Sequence, residues 1–254
     1  MDFTTVLERL HQLDGEHNHL EKAVAALQWD QETYLPPQGV RDRADQLAIL
    51  EGIAHERQTN PEIGRLLEQL GSDSQNPRGD ERLPAPERDF CKVLRRNYDR
   101  AVKLPPDLVS AEARAGGLAL AAWAAARRDN DFAAFAPHLK TMMDFARQRA
   151  VCWGFGENGG GGKIYDGLLD AHEPGMTAQD IAAIFEPLKE RLGALLKRIA
   201  AAGPSGDASF LSREFDPEDQ AAYNRELMQN LGFDLGRGRL DISAHPFTSS
   251  LGFN

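Results

Sequence analysis

Hydrophobic positions recur along this chain with a period of three to four residues almost throughout, which predicts helices. Val6, Leu10, Leu13, His17, Leu20, Val24 and Leu27 alternate steps of four and three, a seam that one helix buries against another. Thr5-x-x-Glu8 is a candidate capping box at its start, and Pro36-Pro37 ends the stretch. A second helix is predicted over about Val40–Arg57, and a short third one after Asn60-Pro61, where proline suits the first turn. Gly71–Pro86 has three prolines, many charges and no apolar period, and reads as a flexible linker at 71–86 inside a single domain, 1–254.

Helix resumes over about Glu87–Lys103 and stops at Pro105-Pro106. An alanine-rich helix suited to close packing covers roughly Asp107–Arg128. Asn130-Asp131 is a stop and restart, and Pro137 is expected to open a fresh helix after a short turn. Gly154–Gly162 breaks the pattern. Thr177-x-x-Asp180 opens a strong helix with Ile181, Ile184, Leu188, Leu192, Leu195 and Ile199 on one side. Gly203–Gly206 is a loop, and Asp216-Pro217 starts a helix to about Leu231. Gly238–His245 alternates as a short strand would. The expected fold class is all-α with a short β segment near the C-terminus.

Composition changes this picture little. The 254 residues are 41% hydrophobic, and the net charge is −10. An acidic balance argues against nucleic acid or an anionic membrane as partner. No apolar run reaches bilayer length and no basic, apolar leader opens the chain, so the expectation is cytoplasmic. Cys91 and Cys152 sit among apolar neighbours and read as reduced thiols.

Candidate chemistry is sparse. Gly154–Gly159 spells G-x-G-x-x-G, but it follows a helix rather than a strand and reads as a glycine loop. Gly161-Gly162-Lys163 fails as a P-loop, because Glu157 and Ile164 stand where Gly and Ser or Thr belong. No two of the seven histidines have the i, i+4 spacing of a helical zinc site. His172-Glu173 begins like H-E-x-x-H, but Pro174-Gly175 breaks the helix and Met176 takes the last place. His17 reads as a buried or boundary residue of the seam. Asp30 and Glu32, two apart at a helix end beside Trp29, read as solvated or capping groups. Cys152 has no neighbouring base, and Ser249-Ser250 forms no nucleophile elbow.

Several strings, in order along nearly the whole chain, resemble one family, the thermostable carboxypeptidase (carboxypeptidase Taq) metallopeptidases. They are Leu27-Gln28-Trp29-Asp30-Gln31-Glu32-Thr33-Tyr34-Leu35-Pro36-Pro37 with Arg43–Ala48, and Ala125–Phe132 with Phe135-Ala136-Pro137. Tyr165–Asp170 with Glu173–Thr177, and Gly238–Asp241 leading to His245-Pro246-Phe247-Thr248, complete the set. The resemblance implies a helical saddle of the zincin-peptidase kind, an enzyme that releases C-terminal residues from peptides, and a homodimer. It implies zinc or cobalt on an H-E-x-x-H helix with a further glutamate ligand, the metal activating water beside a glutamate base. Since the HPF segment lies at the family's cleft, His245, Pro246 and Phe247 carry over as candidate substrate-binding residues, while Trp29–Thr33 look structural. The D-x-R-x-T motif, expected within a few residues of Asn254, and the metal helix are missing from this sequence, and Gly159–Lys163 is looser than the family's approach to Tyr165. The chain therefore reads as the N-terminal portion of a metal-dependent carboxypeptidase, with no catalytic residue, no metal ligand and no cofactor expected for it alone, and inactive by itself. The alternative is a non-catalytic helical module that binds peptides or a protein, and a weaker third reading is a split enzyme completed by a separate chain.

Overall fold

The computed structural model describes residues 2–156, 162–203 and 206–252. It is predominantly helical, and the chain falls into two compact units, 1–154 with 241–252, and 155–240.

The described part of the first unit holds six α-helices: α1 (Phe3–Thr33), α2 (Val40–Gln58), α3 (Pro61–Gln69), α4 (Ala85–Ala101), α5 (Pro106–Asp129) and α6 (Phe132–Cys152). Their ends follow local chemistry. Asn60 accepts a hydrogen bond from Glu62 N, with Pro61 at the first helical position of α3. Asn130 adopts the left-handed conformation (φ 53°) that stops α5, and the Asp131 side chain caps α6 by accepting from Ala134 N.

The α1 seam buries Val6, Leu10 and Leu13 against Ile63, Leu66, Leu67 and Leu70 of the α3 region and Cys91 and Leu94 of α4. Cys91 is a free thiol in this core, and burial pushes its pKa up. The segment between α3 and α4 contains no helix. Its Ser72 is buried and donates from Oγ to Pro77 O at 2.8 Å, while the Arg95 guanidinium donates to Ser72 O at 3.2 Å. Asp80 N donates to Leu70 O at 2.8 Å, tying the segment back to α3.

Helix α5 packs on α2 and α6, and α2 packs on α1. The α2–α5 crossing rests on small residues. A Cβ added at Gly117 would stand 3.2 Å from Ala44 Cβ and 3.3 Å from Ala44 Cα. Two turns further along α2 lies a carboxyl in an unfavourable place. Glu51 is pushed up to about 7 by burial first, and then by Glu21 of α1 and Glu112 of α5.

The second unit holds α7 (Ile164–Leu169), α8 (Ala178–Ala202) and α9 (Pro217–Asn230) among its described residues. Thr177 and Asp180 form the predicted capping box: Asp180 N donates to Thr177 Oγ1 at 3.2 Å, and Thr177 N to Asp180 Oδ2 at 2.9 Å. Asp166 joins the starts of α7 and α8, accepting from Lys163 N at 3.2 Å and from Ala178 N at 2.8 Å. Asp216 caps α9 ahead of Pro217. Among the described residues, every buried hydrophobic side chain belongs to the first unit. No described helix is long and apolar enough to cross a membrane.

Three expectations are corrected. Gly238–His245 is not a strand, and no strand occurs among the described residues. An alternating pattern makes a strand only beside a partner that completes its hydrogen bonds, and the described residues supply none. Thr5 and Glu8 do not cap α1, which starts at Phe3 with no side-chain cap bond. Pro137 does not open a new helix but lies inside α6, in its second turn. There it removes a single early ladder bond. Glu157–Gly161 of the glycine loop and Pro204-Ser205 lie outside the described residues.

Gly117→Leu is expected to destabilise the first unit by about 1–3 kcal/mol through overpacking, seen as a lower denaturant midpoint at unchanged slope. Glu51, with its folded pKa raised, contributes stability below the unfolded carboxylate range and loses it as pH rises towards about 7. Glu51→Gln should therefore be more stable than the parent at pH 8 by roughly 1–2 kcal/mol, after discounting for partial exposure. At pH 5 the gain should shrink to about a quarter of that, and thermal unfolding at the two pH values checks this.

Candidate functional site

The last turn of α1 is pinned from two sides. Asp30 pairs with Arg43 of α2 at 2.7 Å, and Arg43 also donates to Leu27 O at 2.6 Å. Gln31 Nε2 donates to Gly117 O of α5 at 2.7 Å. With Asp30 and Gln31 committed to α2 and α5, neighbouring Trp29, Glu32 and Tyr34 are held at a fixed place.

The segment after Leu240 returns to this place. Tyr34 Oη donates to Asp241 Oδ1 at 2.7 Å. Trp29 stands beside the same tyrosine, the two rings edge-on with centroids 5.6 Å apart.

His245 meets Trp123 of α5 edge-on, with ring centroids 5.8 Å apart. Its Nδ1–H donates to Pro246 O at 2.9 Å, and Ser243 Oγ donates to His245 O at 2.8 Å. Burial pushes the Glu32 carboxyl up, and its electrostatic interaction with His245 offsets part of that rise.

The structure thus brings His245 to α5 and the start of its segment, at Asp241, to the end of α1. Pro246 and Phe247 follow it on an exposed stretch, Phe247 being 39% exposed. The sequence pattern sets Glu32 aside as a solvated or capping group and passes over Trp123, Tyr34 and Asp241. One signal is available: Trp123 is the one bulky aromatic in an alanine-rich helix. An imidazole edge-on to Trp123, followed by an exposed phenylalanine, offers a hydrogen-bonding ring and an apolar contact.

Three other histidines are occupied elsewhere. The ring of His17 bonds Ala54 O at 3.2 Å, and that of His55 bonds Leu104 O at 3.1 Å. His11 pairs with Glu87 at 2.8 Å and stacks on Phe90, beside a cavity of about 410 Å³. That cavity lies near the start of α1, about 35 Å along the helix from Glu32.

A family model for the carboxypeptidase Taq (M32) metallopeptidases matches residues 9–253. The chain belongs to that family. It is 35% identical over 251 residues to thermostable carboxypeptidase 1 of Thermus thermophilus, covering 96% of this chain and 48% of that protein. Its fold is similar to the crystal structure of BsuCP (TM-score 0.85, 29% identity, 97% of this chain and 48% of that one). It is also similar to the M32 carboxypeptidase of Deinococcus radiodurans R1 (TM-score 0.74, 30% identity, 98% and 47%). The chain therefore spans about half the length of the relatives it matches, consistent with an N-terminal portion.

Membership in a metallopeptidase family implies a divalent metal. Among the described residues, no three His, Cys, Asp or Glu side chains come together to hold one. The described residues do not form that site.

Tyr34→Phe is expected to free the 241–252 segment from α1 while costing under about 1 kcal/mol, since the lost bond is exposed. Faster amide hydrogen exchange confined to 241–252, with unchanged exchange in α1–α4, is the expected readout.

Proposed function

We propose that this chain is the scaffold and substrate-side part of a cytoplasmic, metal-dependent carboxypeptidase that releases C-terminal residues from peptides. The observation that carries the reading is the match of residues 9–253 to the family model, together with the edge-on contact of His245 with Trp123. His245 offers a hydrogen-bonding ring, Phe247 an apolar contact, and Pro246 keeps the backbone between them stiff. Zinc or cobalt, for which the described residues gather no donor set, would activate water in the complete enzyme. A homodimer of the complete enzyme is part of the same reading.

The second reading, a peptide-binding module without chemistry, is favoured by a site that has gripping groups and no gathered metal donors among the described residues. Both readings expect the 254-residue chain to bind short peptides and leave them intact. Incubation with a peptide mixture and added zinc or cobalt, followed by mass spectrometry, should show no C-terminal loss. Phe247→Ala should weaken peptide binding roughly tenfold, the worth of one apolar anchor. Chelator-sensitive trimming, absent from His245→Ala, would overturn the inactivity of the isolated chain. Peptide binding indifferent to both substitutions would remove 245–247 from the substrate site.

A further inference from the structure

Trp123 stands alone among small side chains: Ala121, Ala122, Ala124 and Ala125 flank it on α5. Its indole is steadied from one face by Arg127, one turn further on, whose guanidinium carbon lies 5.8 Å from the ring centroid. Its place in the first unit follows from the Gly117–Ala44 crossing, which sets α5 against α2. A large ring on a rigid helix, steadied in this way, is a surface against which a mobile side chain can be ordered.

His245 is such a side chain. It is exposed, on a stretch that is neither helix nor strand. Trp123 meets its ring at an interplanar angle of 72°. Ser243 Oγ donates to His245 O, which steadies the backbone at that point. The remaining contact decides the chemistry. Pro246 O is a carbonyl and can only accept, so in the neutral ring the hydrogen is on Nδ1. Nε2 then carries a bare lone pair, and no described residue bonds it. An acceptor of this kind attracts an amide N–H and repels a carbonyl or carboxylate oxygen. A ring ordered before binding also avoids the entropy that a freely turning imidazole would lose on contact.

We propose that Trp123 is the positioning residue of this site. It holds His245 with Nε2 as an acceptor, and the group that Nε2 takes is a backbone N–H of the bound peptide. The peptide contact rests on the reading of 245–247 as substrate-binding residues, whereas the ordering of the ring does not.

The purified 254-residue chain serves for the test. Nitrogen NMR at about pH 8.5, above the ordinary range of imidazole, reads the tautomer, with His245→Ala identifying the signals. The Nδ1–H form should predominate in the parent. Trp123→Ala should let the Nε2–H form gain, and Trp123→Phe, which keeps an aromatic ring, should restore the parent ratio. Arg127→Ala, which removes only the cation beside the indole, should shift the ratio in the same direction and less.

Affinity for an alanine tetrapeptide is read by calorimetry on the same proteins. Trp123→Ala should weaken it about threefold to tenfold, and Trp123→Phe by under about twofold. Methylating the contacted amide nitrogen of the peptide should cost the parent about tenfold and the Trp123→Ala chain less, since both changes act on one contact. Amide exchange in α1–α4 should stay unchanged, so that the loss is not one of folding. The proposal is overturned if the Nε2–H form predominates in the parent, if tautomer and affinity are indifferent to Trp123→Ala, or if methylation is tolerated equally at every amide. A tautomer that responds to Trp123 in a chain that binds no peptide supports the positioning and overturns the substrate reading of 245–247, so the two failures are told apart.

Discussion

Helix α5 can lie close against α2 because Gly117 and Ala44 carry almost no side chain where the two backbones meet. The other contacts of the first unit use that proximity. Gln31 at the end of α1 reaches Gly117 O, so three helices share one junction. Asp30 and Arg43 hold the same turn from the α2 side. A larger residue at 117 would separate α5 from α2 and withdraw the carbonyl that Gln31 uses.

The candidate site inherits its geometry from this junction. Glu32 and Tyr34 stand where they do because Asp30 and Gln31 are committed elsewhere. Trp123 lies under about two turns beyond Gly117 on α5, on the helix that the crossing positions. The HPF segment then attaches through Tyr34 to Asp241 and through Trp123 to His245. These are polar and aromatic contacts of modest strength, so the segment depends on the rigidity beneath it. Burial of Glu51 next to Glu21 and Glu112 shows that close packing of α1, α2 and α5 carries some electrostatic strain.

The two units differ in how they satisfy the same helical code. In the first, apolar stripes close on one another and the polar 71–84 segment is tied down through Ser72 and Arg95. In the second, caps and turns are in order, with the Thr177–Asp180 box and Asp166 bridging two helix starts, but the stripe of α8 meets nothing within its unit that buries it. Local chemistry is complete there while packing is not.

Helix positions were largely legible from periodicity, proline and capping residues, because those signals act within a few residues of the chain. Asn60-Pro61, Asn130-Asp131, Thr177–Asp180 and Asp216-Pro217 each mark a real helix boundary. The family was legible too, from short strings in a fixed order. The predicted strand at 238–245 failed because alternation describes one strand, and hydrogen-bonded pairing requires another. Thr5 and Glu8 failed as a cap because tertiary packing extends α1 beyond its local signal. His245, Pro246 and Phe247 came from resemblance alone. That His245 sits against Trp123, and that Asp241 bonds Tyr34, each pair far apart in the chain, only the tertiary structure decided. Contacts of that range depend on how helices cross, and no local pattern encodes the crossing.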